Sequence, residues 1–276
     1  MSASVDGLRL GGDRPGRLAW AGWFRTVRLG VGMVLAAGMV CIAPRPAEAA
    51  EASKPAPKPI RVLLVTGIEY HNWRQTAPVI AEQLRKDPRM EVRVIEDPYF
   101  LDSAALSAYD VIFLHFMNWE APSPGPAARE NLKKTIEGGK GLVLVHFACG
   151  AWQDWPEFKQ LAGRVWDPKL RGHDPHGQFR VEIAMPEHPI MKGLGPFEIV
   201  DELYTCLTGD RPVDVLATAK SKVDGKTYPM AFSFEFGKGR VFHCVLGHDA
   251  QALRTPAAGE LFRRGTAWAA GQPVTP

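Results

Sequence analysis

The sequence predicts an α/β fold: a mostly parallel sheet flanked by helices, with a β-rich segment in the second half. Three observations predict it. Apolar runs at 60–67 (IRVLLVTG), 110–115 (DVIFLH) and 141–146 (GLVLVH) lack polar alternation, as strands covered on both faces do. Helical spacing separates these runs, which is the pattern of βαβ units. Beyond residue 179 the runs become alternating or β-branched. The chain has 276 residues, 46% hydrophobic and 23% charged, enough for one large domain.

The elements follow in order. Strand 60–67 is closed by Gly67. A helix over 72–87 spaces Trp73, Ala77, Ile80, Ala81 and Leu84 along one face. VRVIED (92–97) is the second strand and 110–115 the third, entered from Leu106 and Tyr109. A helix over 128–139 ends at Gly138-Gly139, a C-terminal stop signal, and 141–146 is the fourth strand. A short helix spans 155–163. Strands are expected at 179–184, 213–219, 230–236 and 240–247, the last two joined by a hairpin turning at Gly237-Lys238-Gly239. A terminal helix over 259–271 packs Leu261, Phe262, Ala267 and Trp268 onto the sheet. No internal repeat is present.

Residues 1–49 read as an export signal. Arg25 and Arg28 precede an apolar stretch at 29–43, and Ala47-Glu48-Ala49 offers a small-x-small cleavage site. The stretch is shorter than the roughly 20 residues that span a bilayer. Residues 50–59 are a Pro-punctuated linker, leaving a domain over 60–271 and a periplasmic or secreted location. The signal carries six arginines against three acids, so acids and bases are equal in number from residue 50 onward. That balance gives no electrostatic case for nucleic acid or an anionic membrane. After cleavage Cys149, Cys206 and Cys244 remain, an odd number and no disulfide framework.

Ligands of open α/β sheets sit beyond the carboxyl ends of the strands. Those ends bring Glu69, His71 and Asn72 after the first strand, and His115, Asn118 and Trp119 after the third. His146 follows the fourth, and His248 with Asp249 follows the hairpin's return strand. Four strands thus deliver a histidine to one rim. His173 and His176 lie in the loop RGHDPHGQF, and Asp201, Glu202 and Tyr204 in DELY, where the two acids bind a ligand or start a strand. His173-x-x-His176 is not the helical HExxH zinc motif, so spacing alone does not establish a metal. His188, before a proline, is expected to hold a turn, and mid-strand His243 to be structural. Trp73, Trp119, Trp152 and Tyr204 are candidate substrate contacts, the indoles able to stack on a sugar ring.

A hydrolase elbow would place a nucleophile directly after the fourth strand. His146 holds that position, and Cys149 lies three residues on without a third group to orient it. His146 is therefore the expected reactive group and Cys149 a bystander.

The stretches VTGIEYHNW, LSAYDVIFLH, IEGGKGLVLVHFACGAW, FKQLAGRVW, EHPIMKGL, DELY and FGKGRVFHCVLGH together resemble the ThuA-like (trehalose utilisation) family. The resemblance implies a flavodoxin-like, class I glutamine amidotransferase-like sheet in which His146 replaces the cysteine of the elbow. It places the family's recurring polar positions on His71, His146, Glu202 and His248, with His188 in the HPI stretch. It also implies carbohydrate metabolism, on keto-sugars or glycosides. Asn72 stands where the family commonly has Asp, and Cys149 where small residues are usual.

Two functions are consistent with this. An exported sugar isomerase, epimerase, lyase or hydrolase would use His146 or His71 as base with Glu202 as partner. A divalent metal, zinc or manganese, held by His71, His146, His248 and Glu202 would supply an electrophile. A non-catalytic periplasmic carbohydrate-binding module would instead rely on the tryptophans. In both the partner is a small carbohydrate, and analogy with the architecture predicts a homodimer.

Overall fold

The computed structural model describes residues 58–68 and 71–275. The export signal, most of the linker and Glu69 lie outside the described residues. Among the described residues no helix is long and apolar enough to cross a membrane.

Nine strands form one mixed sheet in the order β2-β1-β3-β4-β9-β8-β7-β5-β6. β1 (Ile60–Thr66), β2 (Met90–Ile95), β3 (Val111–His115) and β4 (Gly141–Val145) are parallel to one another. β3 and β4 are buried at every residue, which is why their sequences are continuous apolar runs. β9 (Gly239–Cys244) runs parallel to β4 and antiparallel to β8 (Thr227–Phe236), so it is the seam between the two halves. β7 (Asp214–Lys220), β5 (Gly177–Ile183) and β6 (Phe197–Asp201) continue antiparallel to the edge.

The hairpin expected at 234–242 is present: Phe236 pairs with Gly239, and Gly237 turns at φ +61°. β6 has no counterpart in the sequence reading, and Asp201 ends this strand rather than starting one.

Helices α1 (Trp73–Leu84), α4 (Ala250–Arg254) and α5 (Pro256–Ala269) pack on one another. α2 (Pro126–Glu137) packs on the short turns at 98–108, and α3 (Phe158–Ala162) on β9. Strand directions then fix the rim. β1, β3, β4, β9 and β6 all end on one edge of the sheet, where β5 begins. Every candidate loop therefore leaves from the same edge.

The sheet does not lie flat. β9 and β6 are four places apart, about 19 Å at the usual strand spacing. Yet Asp201 at the end of β6 accepts hydrogen bonds from the backbone of Gly247 (2.7 Å) and His248 (2.9 Å), just beyond β9. The antiparallel half rolls back until its edge meets the seam.

Candidate functional site

His71, His146, Glu202 and His248 converge on the rim, each with a ligating atom within 4.8 Å of the others'. His146 takes the elbow position predicted for it. Its backbone is in the left-handed region (φ +49°), which costs an L-residue energy and persists only where the surroundings impose it. Its Nδ1–H donates to the carbonyl of Val245 at 2.8 Å. In the neutral ring this leaves the Nε2 lone pair aimed at the cluster, 3.1 Å from Nε2 of His71. The His71 ring stacks on Phe147, centroids 4.3 Å apart.

Glu202 lies 3.6 Å from Nε2 of His146, 3.0 Å from Nδ1 of His248 and 3.7 Å from Nδ1 of His173. Asp201 sets its place. The buried Asp201 carboxylate accepts the amides of Glu202 (2.9 Å), Gly247 and His248, fixing an acid and a base of the cluster from one side chain. Burial drives the Asp201 carboxyl upward, and His146 with these three amides opposes it.

The electrostatics separate His71, Glu202 and His248. Burial, then the nearby His146 and His248, lowers His71 to about 2, so its ring is neutral. The Glu202 carboxylate raises His248, against burial. Burial would raise Glu202 as well, but the adjacent imidazoles of His146 and His248 outweigh it and hold the carboxyl well below the usual carboxylate range.

The donor set fits a divalent cation. Ligands at about 2.0–2.2 Å from one ion stand roughly 3–3.6 Å apart, as the 3.0, 3.1 and 3.6 Å separations do. Nδ1 of His248, which faces Glu202, is buried without a hydrogen-bond partner, its 3.0 Å approach being too poorly aimed to be a hydrogen bond. The carbonyl behind His146 is the outer-shell acceptor that metal-binding histidines use. The cluster could hold a metal.

A cavity of about 300 Å³ adjoins the cluster, lined by His71, Glu202, His248, His173 and Tyr204. Met117, Trp119, Phe147, Trp166 and the 149–150 segment line the rest. His146 is fully buried and is not among the lining residues, so it acts from behind His71, under the Tyr204 ring at 4.3 Å. Trp119 borders the cavity as expected. Trp73 and Trp152 do not. Trp152 is packed against Phe116, Trp155 and Phe158 with its indole N–H on the carbonyl of Pro124, and Trp73 bonds the carbonyl of Ile68.

The other histidines are placed with equal clarity. His115 is buried between the hydroxyls of Thr66 and Thr76, one layer beneath Phe147. His243 donates to the carbonyl of Ala162 inside the core, and Nδ1 of His188 accepts the amide of Ile190 in a turn, as expected of both. His176 pairs with Asp249 at 3.4 Å on the outer rim. Cys149 borders the cavity, and burial raises its thiol to about 12, away from the thiolate form a nucleophile needs. Phe147, Met117 and Trp166 were not singled out from sequence. Trp166 lies flat over Gly172, where any Cβ would stand 1.7 Å from the indole, a contact no local pattern announces.

The family model ThuA, described as trehalose utilisation, matches residues 61–269. Among solved structures, a ThuA-like protein from Parabacteroides merdae superposes with TM-score 0.71 at 25% identity, over 79% of this chain and 93% of that one. Another from Bacteroides uniformis gives 0.62 at 21%, over 82% and 95%. A β-galactosidase from Bacillus circulans sp. alkalophilus gives 0.53 at 15%, over 78% of this chain and 32% of that one, a likeness of fold alone. No curated protein matches the sequence.

Proposed function

Because the chain belongs to the ThuA (trehalose utilisation) family, we propose that it is an exported protein of carbohydrate metabolism acting on a keto-sugar or its glycoside. One observation carries this reading: the His71, His146, His248 and Glu202 cluster adjoins a cavity that His71, His248 and Glu202 line together with Phe147, Trp119, Trp166 and Tyr204. A pyranose has that polarity, with an apolar face for Phe147, Trp119 and Trp166 and a polar edge for the histidines.

His71, His146, His248 and Glu202 would hold a divalent cation, zinc or manganese, which when bound polarises a substrate carbonyl or hydroxyl oxygen. Without a cation the chain's own groups form an acid–base pair instead. Isomerisation beside a carbonyl needs a base for the α proton and an acid for the carbonyl oxygen. His71, kept neutral, takes the proton from carbon, and His248, favoured in its protonated form by Glu202, delivers one to oxygen. The enediol so formed is reprotonated by His71 on the former carbonyl carbon, while the hydroxyl on the other carbon gives its proton to His248 and becomes the new carbonyl. Neighbouring groups whose pKa values are pushed apart are the usual mark of such a division of labour. His146 orients His71 rather than touching the sugar.

The test is the divalent-metal content of the purified full chain and of His146→Ala, with sugar binding followed by tryptophan fluorescence. About one zinc or manganese per chain is expected, with affinity at least ~10-fold weaker in the variant. A chain that binds sugar but neither metal overturns the metal form and leaves the acid–base pair. A second reading, a carbohydrate-binding module without catalysis, draws on the predominance of aromatic walls. It predicts sugar affinity unchanged by His146→Ala and lost in Trp119→Ala.

A further inference from the structure

We propose that His115 is a positioning residue for His71. This one buried imidazole clips both ends of the connection that carries His71 and supports the phenyl ring on which His71 stacks. The proposal rests on the reading above that His71 works in the cluster, and it adds what holds His71 there.

β3 is apolar from Val111 to Leu114 and then ends in a fully buried histidine. Burying an imidazole carries a desolvation cost that a leucine would not. Two hydroxyls answer it. Thr66, the last residue of β1, is paired with His115 in the parallel register, and its Oγ1 lies 3.0 Å from Nδ1. Thr76, in the first turn of α1, places its Oγ1 3.3 Å from Nε2. Both threonines are buried.

The Thr76 hydroxyl donates to the carbonyl of Asn72 at 3.2 Å. Its one proton is thus engaged, so His115 donates to Thr76 through Nε2–H and accepts the Thr66 hydroxyl at Nδ1. That pattern needs a neutral ring, and burial, lowering His115 to about 3, keeps it so. Thr66 and Thr76 stand five residues before and five after His71. One side chain therefore ties the end of β1 to the start of α1, with His71 midway between.

A second contact acts on the same residue. The His115 ring lies 4.7 Å from that of Phe147, and Phe147 stacks on His71 with centroids 4.3 Å apart and planes at 15°. From this stack His71 reaches His146, Nε2 to Nε2 at 3.1 Å. A shift of the connection or of Phe147 moves a ligating atom. His243, in the core, has one nitrogen on the carbonyl of Ala162 and the other without a partner. Both nitrogens of His115 are engaged, on the two flanks of a site residue.

The test compares full-length variants. His115→Leu cuts both bonds, His115→Gln restores a donor near the place of Nε2, and Val111→Ala loosens the same strand at its other end. Zinc affinity is measured by titration. In the metal-free chain, NMR follows the His71 ring protons, identified by their loss in His71→Asn and shifted upfield by the Phe147 ring. The expected result in His115→Leu is zinc affinity at least ~10-fold weaker, with the His71 resonances moved toward those of an exposed imidazole. His115→Gln recovers most of the loss, and Val111→Ala, although less stable, matches the wild type in both readouts. Thr76→Val, of similar shape without the hydroxyl, repeats the measurement should His115→Leu fail to fold. Affinity and resonances unchanged in these variants, or losses as large in Val111→Ala, overturn the positioning role. A wild-type chain that takes up no zinc overturns the metal reading alone, and the resonances then decide the positioning by themselves.

Discussion

The parallel and antiparallel halves of the sheet bring different things to one rim. β1 and β4 supply His71 and His146 beyond strands buried at every residue but Arg61. The antiparallel half supplies Glu202, Tyr204 and His173 from an edge strand and a loop that lie opposite the rim until the sheet rolls over. His248 stands at the seam, after β9. The difference shows that the parallel half makes a scaffold and the roll makes a site. Neither half holds the four cluster residues alone.

The strongest way to break this comparison is to cut the latch between the halves. Asp201→Ala leaves the amides of Glu202, Gly247 and His248 without their acceptor. The expected loss is roughly 3–6 kcal/mol of stability, from the cost of unpaired buried donors. Metal affinity should fall in the same variant, because Glu202 and His248 lose their common anchor. Asp201→Asn, which keeps one acceptor oxygen, should fall between the two. Denaturant unfolding and zinc titration measure both effects, and an Asp201→Ala chain as stable as wild type would mean that the roll is held elsewhere.

How far each half was legible follows from the same division. The parallel strands advertise themselves because burial on both faces leaves no polar alternation, and the carboxyl-end rule then places His71, His146 and His248 on one rim. Glu202 could be seen as a candidate but not placed. β6 is five residues, FEIVD, with Glu198 exposed and Phe197 part-buried, too short and mixed to read as a strand. The roll that carries it across depends on the Asp201 contacts, which no local pattern encodes. Trp73 and Trp152 lie away from the cavity for a related reason: whether a loop indole faces core or cavity depends on backbone turns. Trp152 sits at φ +48°, which directs it inward.

That distinction yields a smaller contrast. Trp152→Ala should cost about 3–5 kcal/mol, as deletion of a buried aromatic does, by opening a void among Phe116, Trp155 and Phe158. Trp119→Ala should leave stability within about 1 kcal/mol and weaken sugar binding instead. Thermal unfolding together with fluorescence titration separates them. Equal destabilisation by both would place Trp119 in the core and remove it from the rim.

The smallest effect compares interior and rim through pH. His115 in the parallel half and His243 on the seam are fully buried, and burial, the largest cause for each, lowers them to about 3 and about 4. Below their ordinary value of 6.5 the unfolded chain binds protons that the folded chain refuses. Their contribution to stability is thus complete above about pH 6.5 and is lost as pH falls toward the folded values. His248 has the opposite sign: raised by Glu202, it stabilises at low pH, and that contribution fades as pH rises through its folded value. His71, lowered to about 2, acts with the two interior groups, and the three together outweigh His248, which is partly exposed to water. Stability should therefore fall by roughly 1–2 kcal/mol between pH 7 and 6. His243→Asn, whose amide can still donate to the carbonyl of Ala162, should remove about half of that slope while lowering stability at pH 7. Unfolding midpoints at a series of pH values measure it. A slope unchanged in the variant would mean that the interior histidines do not govern acid stability and that the rim cluster does.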